Sequence, residues 1–190
     1  MPNLLQRQDA YNILEHHLAG LKNIFSESLE ELNRALNQIT VPVNKRGKTS
    51  TLHSICVSKI KLHYEGNPDI IIKEKYESIQ IVFDKKIVGR VKKIDNKNLS
   101  KNATSKRNNN ILSQQLSIFP EADLTFVDFG YIIDPTWTDY DNLIVVCRIN
   151  DTIAWQIPFK TTESIRTVET IQTEIQPIET ETQITIRRAQ

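Results

Sequence analysis

Apolar side chains in the first forty residues fall at Tyr11, Leu14, Leu18, Leu21, Phe25, Leu32, Ala35 and Ile39, steps of three and four with one polar interruption at Ser28. That spacing lines one stripe of an α-helix. It suits equally a coiled-coil strand that pairs with a partner and an amphipathic helix that lies on its own domain. Leu14, Leu18, Leu21, Phe25, Leu32 and Ile39 are therefore the candidate oligomer or partner surface. Asp9 is placed to cap the start, while Gly20 and the capping-box spacing of Ser28 and Glu31 allow two shorter helices. Thr40, Pro42 and Gly47 break the segment.

A second helix is predicted from about Thr49 to Tyr64, where Leu52, Cys56, Ile60 and Tyr64 recur every four residues and Gly66-Asn67-Pro68 closes the run. From Asp69 the period becomes two. Ile79, Ile81 and Phe83 alternate up to Asp84-Lys85-Lys86, and Ile87 to Lys93 follows, which predicts a hairpin. Asp95 to Asn110 is polar and without apolar period, the pattern of an exposed, mobile loop. A short helix is expected near Ile111 to Ile118. Residues 124–159 read as an antiparallel meander, with Val127, Phe129, Tyr131 and Ile133 on one face, a nearly all-apolar strand over Leu143–Ile149, and a turn at Asn150-Asp151. Residues 160–190 are low in complexity, an expected tail that is disordered alone or adds an edge strand to a partner.

These elements make an α+β fold. An antiparallel sheet (hairpin plus C-terminal meander) packs with two or three helices, preceded by a heptad-patterned N-terminal helix. The expected organisation is a helical segment over 1–40, an α+β domain over 41–159 and a tail over 160–190. A chain of 190 residues with 39% apolar and 25% charged side chains has enough material for one core of this size. The longest apolar runs are only a handful of residues, so no membrane span is predicted. The N-terminus lacks the basic and apolar regions of a secretory signal. Cys56 and Cys147 lie far apart, outside any CxxC spacing. A cytoplasmic protein with reduced thiols is the resulting expectation.

The formal net charge of +1 conceals a sharp division. Residues 42–107 carry 16 basic and 6 acidic side chains, whereas residues 108–159 carry 1 basic and 7 acidic. The positive charge marks a candidate surface for nucleic acid or an acidic protein partner: Lys85, Lys86, Arg90, Lys92 and Lys93 in the hairpin, then Lys97, Lys101, Lys106 and Arg107 in the loop. Stacking aromatics are missing from this stretch, so the two ligand classes stay open. Trp137 and Tyr140, set among Asp134, Asp139 and Asp141, read either as an exposed recognition loop or as a turn that caps the core.

Catalytic and cofactor motifs are absent. His16, His17, His53 and His63 lack zinc spacing, and no HExxH occurs. Five scattered glycines leave no dinucleotide fingerprint or Walker A loop. No metal, cofactor or catalytic residue is predicted. The nearest enzymatic alternative is a divergent metal-dependent nuclease centred on Asp84, but the following strand places Arg90-Val91-Lys92 where a second carboxylate is needed.

Several short stretches together resemble small bacterial proteins of mobile or defence-type, toxin–antitoxin-like gene neighbourhoods: Lys45-Arg46-Gly47-Lys48-Thr49-Ser50, Val91-Lys92-Lys93-Ile94-Asp95, Gly130-Tyr131, Trp137-Thr138 and Trp155. The resemblance spans about 45 to 159. It implies a partner or regulator acting beside another gene product and carries over no catalytic residue. The expected function is thus a non-catalytic binding or regulatory protein with a protein partner or a second copy of itself. Nucleic-acid binding through 85–107 is the alternative, and the nuclease stands behind both.

Overall fold

In the computed structural model, which describes residues 4–75, 78–100 and 124–159, the N-terminal stripe is one continuous helix, α1 (Arg7–Leu36). The alternative of two shorter helices is not realised. Ser28 is buried, and its hydroxyl donates to the Ile24 carbonyl at 2.6 Å instead of capping a new helix. Gly20 is there for close approach: a Cβ at that position would stand 2.9 Å from Nε2 of His63. That ring belongs to α2 (Lys45–His63), which runs antiparallel to α1 with Lys59 bonded to Glu27 and Glu31 farther along. The Asn44 side chain caps α2 by accepting from the Gly47 N–H at 2.8 Å.

The strands are β1 (Ile70–Lys75), β2 (Ser78–Phe83), β3 (Ile87–Lys93), β4 (Thr125–Ile133), β5 (Tyr140–Ile149) and β6 (Thr152–Pro158), arranged in that order in one six-stranded sheet. The α+β class holds, and the 124–159 meander forms. Two details differ from expectation. β1 is an additional strand, antiparallel to β2 in the register Ile70↔Phe83. The sheet is mixed, because β3 and β4 pair parallel, Ile87 opposite Thr125 and Lys93 opposite Tyr131. A parallel pair requires a long crossover, and residues 94–124 lie between the two strands in the sequence. The third predicted helix, near Ile111–Ile118, and the 160–190 tail lie outside the described residues.

Alternation in the strands sorts the side chains. In β2, β3, β4 and β5, positions such as Ile81, Val91, Val127, Phe129, Tyr131 and Val145 face the helices and share one core with Leu14, Leu18, Leu21, Phe25 and Leu32 of α1. This corrects the reading of those five as a partner surface: they are buried in the chain's own core, and Ile39, beyond the helix end, is 50% exposed. Apolar burial against a sheet already in the same chain satisfies the stripe. The boundary expected at residue 40 accordingly does not separate two cores. Val82, Val88, Leu124 and Phe126 point to the opposite face, where they form a smaller cluster.

Of the two sheet glycines, Gly89 is the more tightly packed: a Cβ there would run into the ring of Phe129, which is buried completely on the helix side. Residues 95–100 are not the start of a featureless loop. The Asp95 carboxylate accepts from the N–H groups of Lys97 and Leu99 at 2.9 and 3.0 Å, and Ile94 bridges to Ser100.

Candidate functional site

The predicted basic surface divides. Lys85 and Lys86 are exposed in the turn between β2 and β3, where Lys86 pairs with Asp84 at 3.1 Å. Lys92 and Lys93 stand at the other end of β3, roughly 15–20 Å away at the rise of an extended strand, and Lys97 is exposed on the turn that follows. Arg90 is no surface cation at all. Its Nε donates to Oδ1 of Asp128 at 2.5 Å, and both side chains are buried. Lys101, Lys106 and Arg107 lie outside the described residues. The same strand separates Asp84 from Lys92, so the pair a nuclease reading needs is not assembled.

What β3 does bring together is Lys93 and the start of α2. Lys45, Arg46 and Lys48 occupy the first turn of that helix, which carries no acidic residue. Cations there oppose the helix dipole, which favours negative charge at this end. Among the described residues, none of Lys45, Arg46, Lys48, Lys92 or Lys93 pairs with a carboxylate. The sequence signal for this site was the Lys45–Ser50 stretch quoted for the resemblance, not the loop after β3.

These side chains border two adjoining hollows. The first, of about 530 Å³, is walled by Lys45, Lys48 and Lys93 on one side and by Trp137, Asp134 and Asp141 on the other. The second, of about 640 Å³, is rimmed by Lys45, Arg46, Lys92 and Lys93, with Thr49 and His53 beside them and Val91 and Tyr131 as apolar floor. Lys45 and Lys93 border both, so the hollows form one groove. Burial depresses the Lys93 ammonium below its usual range, and repulsion from Lys45 adds to it. Lys92 is depressed by burial and then by Arg90, with Asp128 opposing. His53 is held toward the neutral form by burial and by Lys92. Crowded, partly desolvated cations of this kind are relieved by an incoming anion.

Trp137 is fixed by a dense turn. The Asp134 carboxylate accepts from the N–H groups of Thr138, Asp139 and Thr136 at 2.7, 3.0 and 3.1 Å, and from the hydroxyls of Thr136 and Thr138. The Asp139 N–H is the largest of the causes that hold Asp134 well below the usual carboxylate range. Inside this turn Trp137 adopts φ 66°, a left-handed conformation costly for a bulky residue, and its carbonyl accepts from Asn33 Nδ2 at 2.8 Å. The ring is only 9% exposed, with Lys48 Nζ at 5.5 Å and Lys93 Nζ at 5.4 Å from its centroid. Tyr140 is no recognition residue either: its hydroxyl donates to the Phe25 carbonyl at 2.9 Å and its ring packs on Phe25 and Tyr131. The turn reading of this loop holds, with Trp137 as a fixed wall of the groove.

On the opposite face of the sheet, Asp128 takes Arg90 on one oxygen and the Ser100 hydroxyl, at 2.8 Å, on the other; Arg148 Nη2 donates to Ser100 Oγ at 2.8 Å. This buried ionic cluster anchors the 95–100 turn to the sheet behind Lys92. It also sets one cation of the basic stretch, Arg90, against one acid of the acidic stretch, Asp128. Among the described residues, no group of three His, Cys, Asp or Glu is arranged to hold a metal, and no helix is long and apolar enough to cross a membrane. Cys56 and Cys147 are free, buried thiols, with burial pushing them up to about 11 and about 12.

Comparisons of the chain with protein-family models, with curated proteins and with solved structures find no match.

Proposed function

We propose that this chain is a non-catalytic binding or regulatory protein that engages a negatively charged partner through the groove between α2 and β3. The observation that carries this reading is the convergence of Lys45, Arg46, Lys48, Lys92 and Lys93, from two separate elements, without a carboxylate partner among the described residues. Five such cations around one concavity release counterions when an anionic surface docks, which makes binding favourable and strongly salt-dependent. The resemblance to toxin–antitoxin-like proteins points the same way, since its basic lead-in Lys45–Ser50 and its Lys92-Lys93 pair are the two sides of this groove.

Docking through the apolar stripe of α1 has no support, because that stripe is consumed internally. Heparin affinity tests the reading. The wild-type chain should be retained and eluted by salt, and the Lys45→Glu/Arg46→Glu/Lys93→Glu variant should elute at markedly lower salt. Glutamate in the first turn suits the dipole of α2, so the variant is expected to fold. Equal elution of the two proteins would refute the proposal.

A further inference from the structure

The groove is not uniformly basic, and the asymmetry identifies a class of ligand. Among the described residues, no acid lines the second hollow, under Lys45, Arg46 and Lys92. The first shares Lys45 and Lys93 with it but ends on Asp141 and Asn96, both exposed, beside the Trp137 wall. Asp134 also lines it, but five donors already engage its carboxylate. Asp141 has no hydrogen-bond or ion-pair partner among the described residues. One end of the groove therefore attracts negative charge, and the other presents acceptors to a neutral group rich in N–H and O–H donors.

Resting on the reading above, we propose that the groove takes a nucleoside phosphate, with phosphate among Lys45, Arg46 and Lys93 and the nucleoside against Trp137 and Asp141. Exocyclic amines and sugar hydroxyls supply the donors that Asp141 and Asn96 accept. Hollows of about 530 and about 640 Å³ fall within the size of organic-ligand pockets. An acidic peptide fits less well, because its repeated carboxylates would meet Asp141 at the far end. Trp137 is too covered to stack a base on its face, so its part is an apolar wall, with Val43 and Pro135 beside it. The same chemistry arises from a free nucleotide or from a nucleotide within a single strand.

Chemical-shift titration of the full chain by nuclear magnetic resonance tests this, with inorganic phosphate, the four ribonucleoside monophosphates, single-stranded tetranucleotides and a glutamate-rich peptide as probes. At least one nucleotide should bind about tenfold more tightly than inorganic phosphate, moving the Trp137 indole and the Lys45 and Arg46 amides. Asp141→Asn should reduce that advantage to about threefold while leaving phosphate affinity unchanged, and Lys45→Ala should weaken both. A tetranucleotide that outcompetes its monomers tenfold assigns the site to strands, and the reverse order assigns it to free nucleotides. If nucleotides bind no better than phosphate, or the peptide binds more tightly than either, the proposal fails even where heparin retention still depends on Lys45, Arg46 and Lys93. Loss of that dependence would instead remove the underlying reading.

Discussion

The two helices pack side by side but are held in opposite ways. α1 buries Leu14, Leu18, Leu21, Ile24, Phe25, Leu29 and Leu32 along nearly its whole length. α2 buries only Leu52, Cys56 and Ile60, all after its second turn, and leaves its start to Lys45, Arg46 and Lys48. A segment that contributes little apolar burial and carries cations at the wrong end of a helix dipole is not selected for stability. The contrast assigns α1 to the fold and is what the binding role proposed for the first two turns of α2 rests on.

The largest effect expected from breaking this contrast is on α1. Phe25 is fully buried and contacts the rings of Tyr131, Tyr140 and Phe159. Phe25→Ala should cost about 3–5 kcal/mol in a denaturant titration, from lost burial and the cavity left behind. A cost under about 1 kcal/mol would mean that α1 is not the structural helix.

A smaller effect is expected at the α1–α2 seam. His17 packs against Tyr64 and Phe83 and is held below its ordinary value by burial, then by His16 and His63; Asp69, Asp84 and Lys85 line the hollow beside it. Because folding favours the neutral ring, the unfolded chain binds more protons just below pH 6.5, so stability is full above that pH and declines as pH falls toward the folded value. His53, depressed for the same primary reason, acts in the same direction. Melting temperature should fall between pH 6.5 and 5, and His17→Gln should flatten the decline. An unchanged slope in that variant would remove His17 from the account.

The helical stripe and the meander were legible because both depend on periodicities local to a few residues. The use of the stripe was not: Leu14 and Leu18 have the same spacing whether they meet a second chain or the sheet of their own. In the sequence Arg90 looks like a surface cation, because its partner, Asp128, lies 38 residues away and becomes its neighbour only through the parallel register. β1 escaped notice because Ile70-Ile71-Ile72 followed by Lys73-Glu74-Lys75 shows no alternation over its length. The groove was half visible. Lys92 and Lys93 stand out in the sequence as candidate binding residues, but their companions in Lys45–Lys48 come from a helix start more than forty residues earlier, and only the fold sets them side by side.

The proposal that the start of α2 is kept for binding at the expense of stability meets its sharpest test in the Lys45→Ala/Arg46→Ala variant, unfolded by denaturant with and without tripolyphosphate. Without the anion, it should be as stable as wild type or more so, by up to about 1 kcal/mol, because charge opposing the helix dipole has been removed. With the anion, the wild type should gain stability through binding to its folded state, and the variant should gain much less. A variant that loses more than about 1 kcal/mol without the anion, or that keeps the full wild-type gain with it, would contradict the claim.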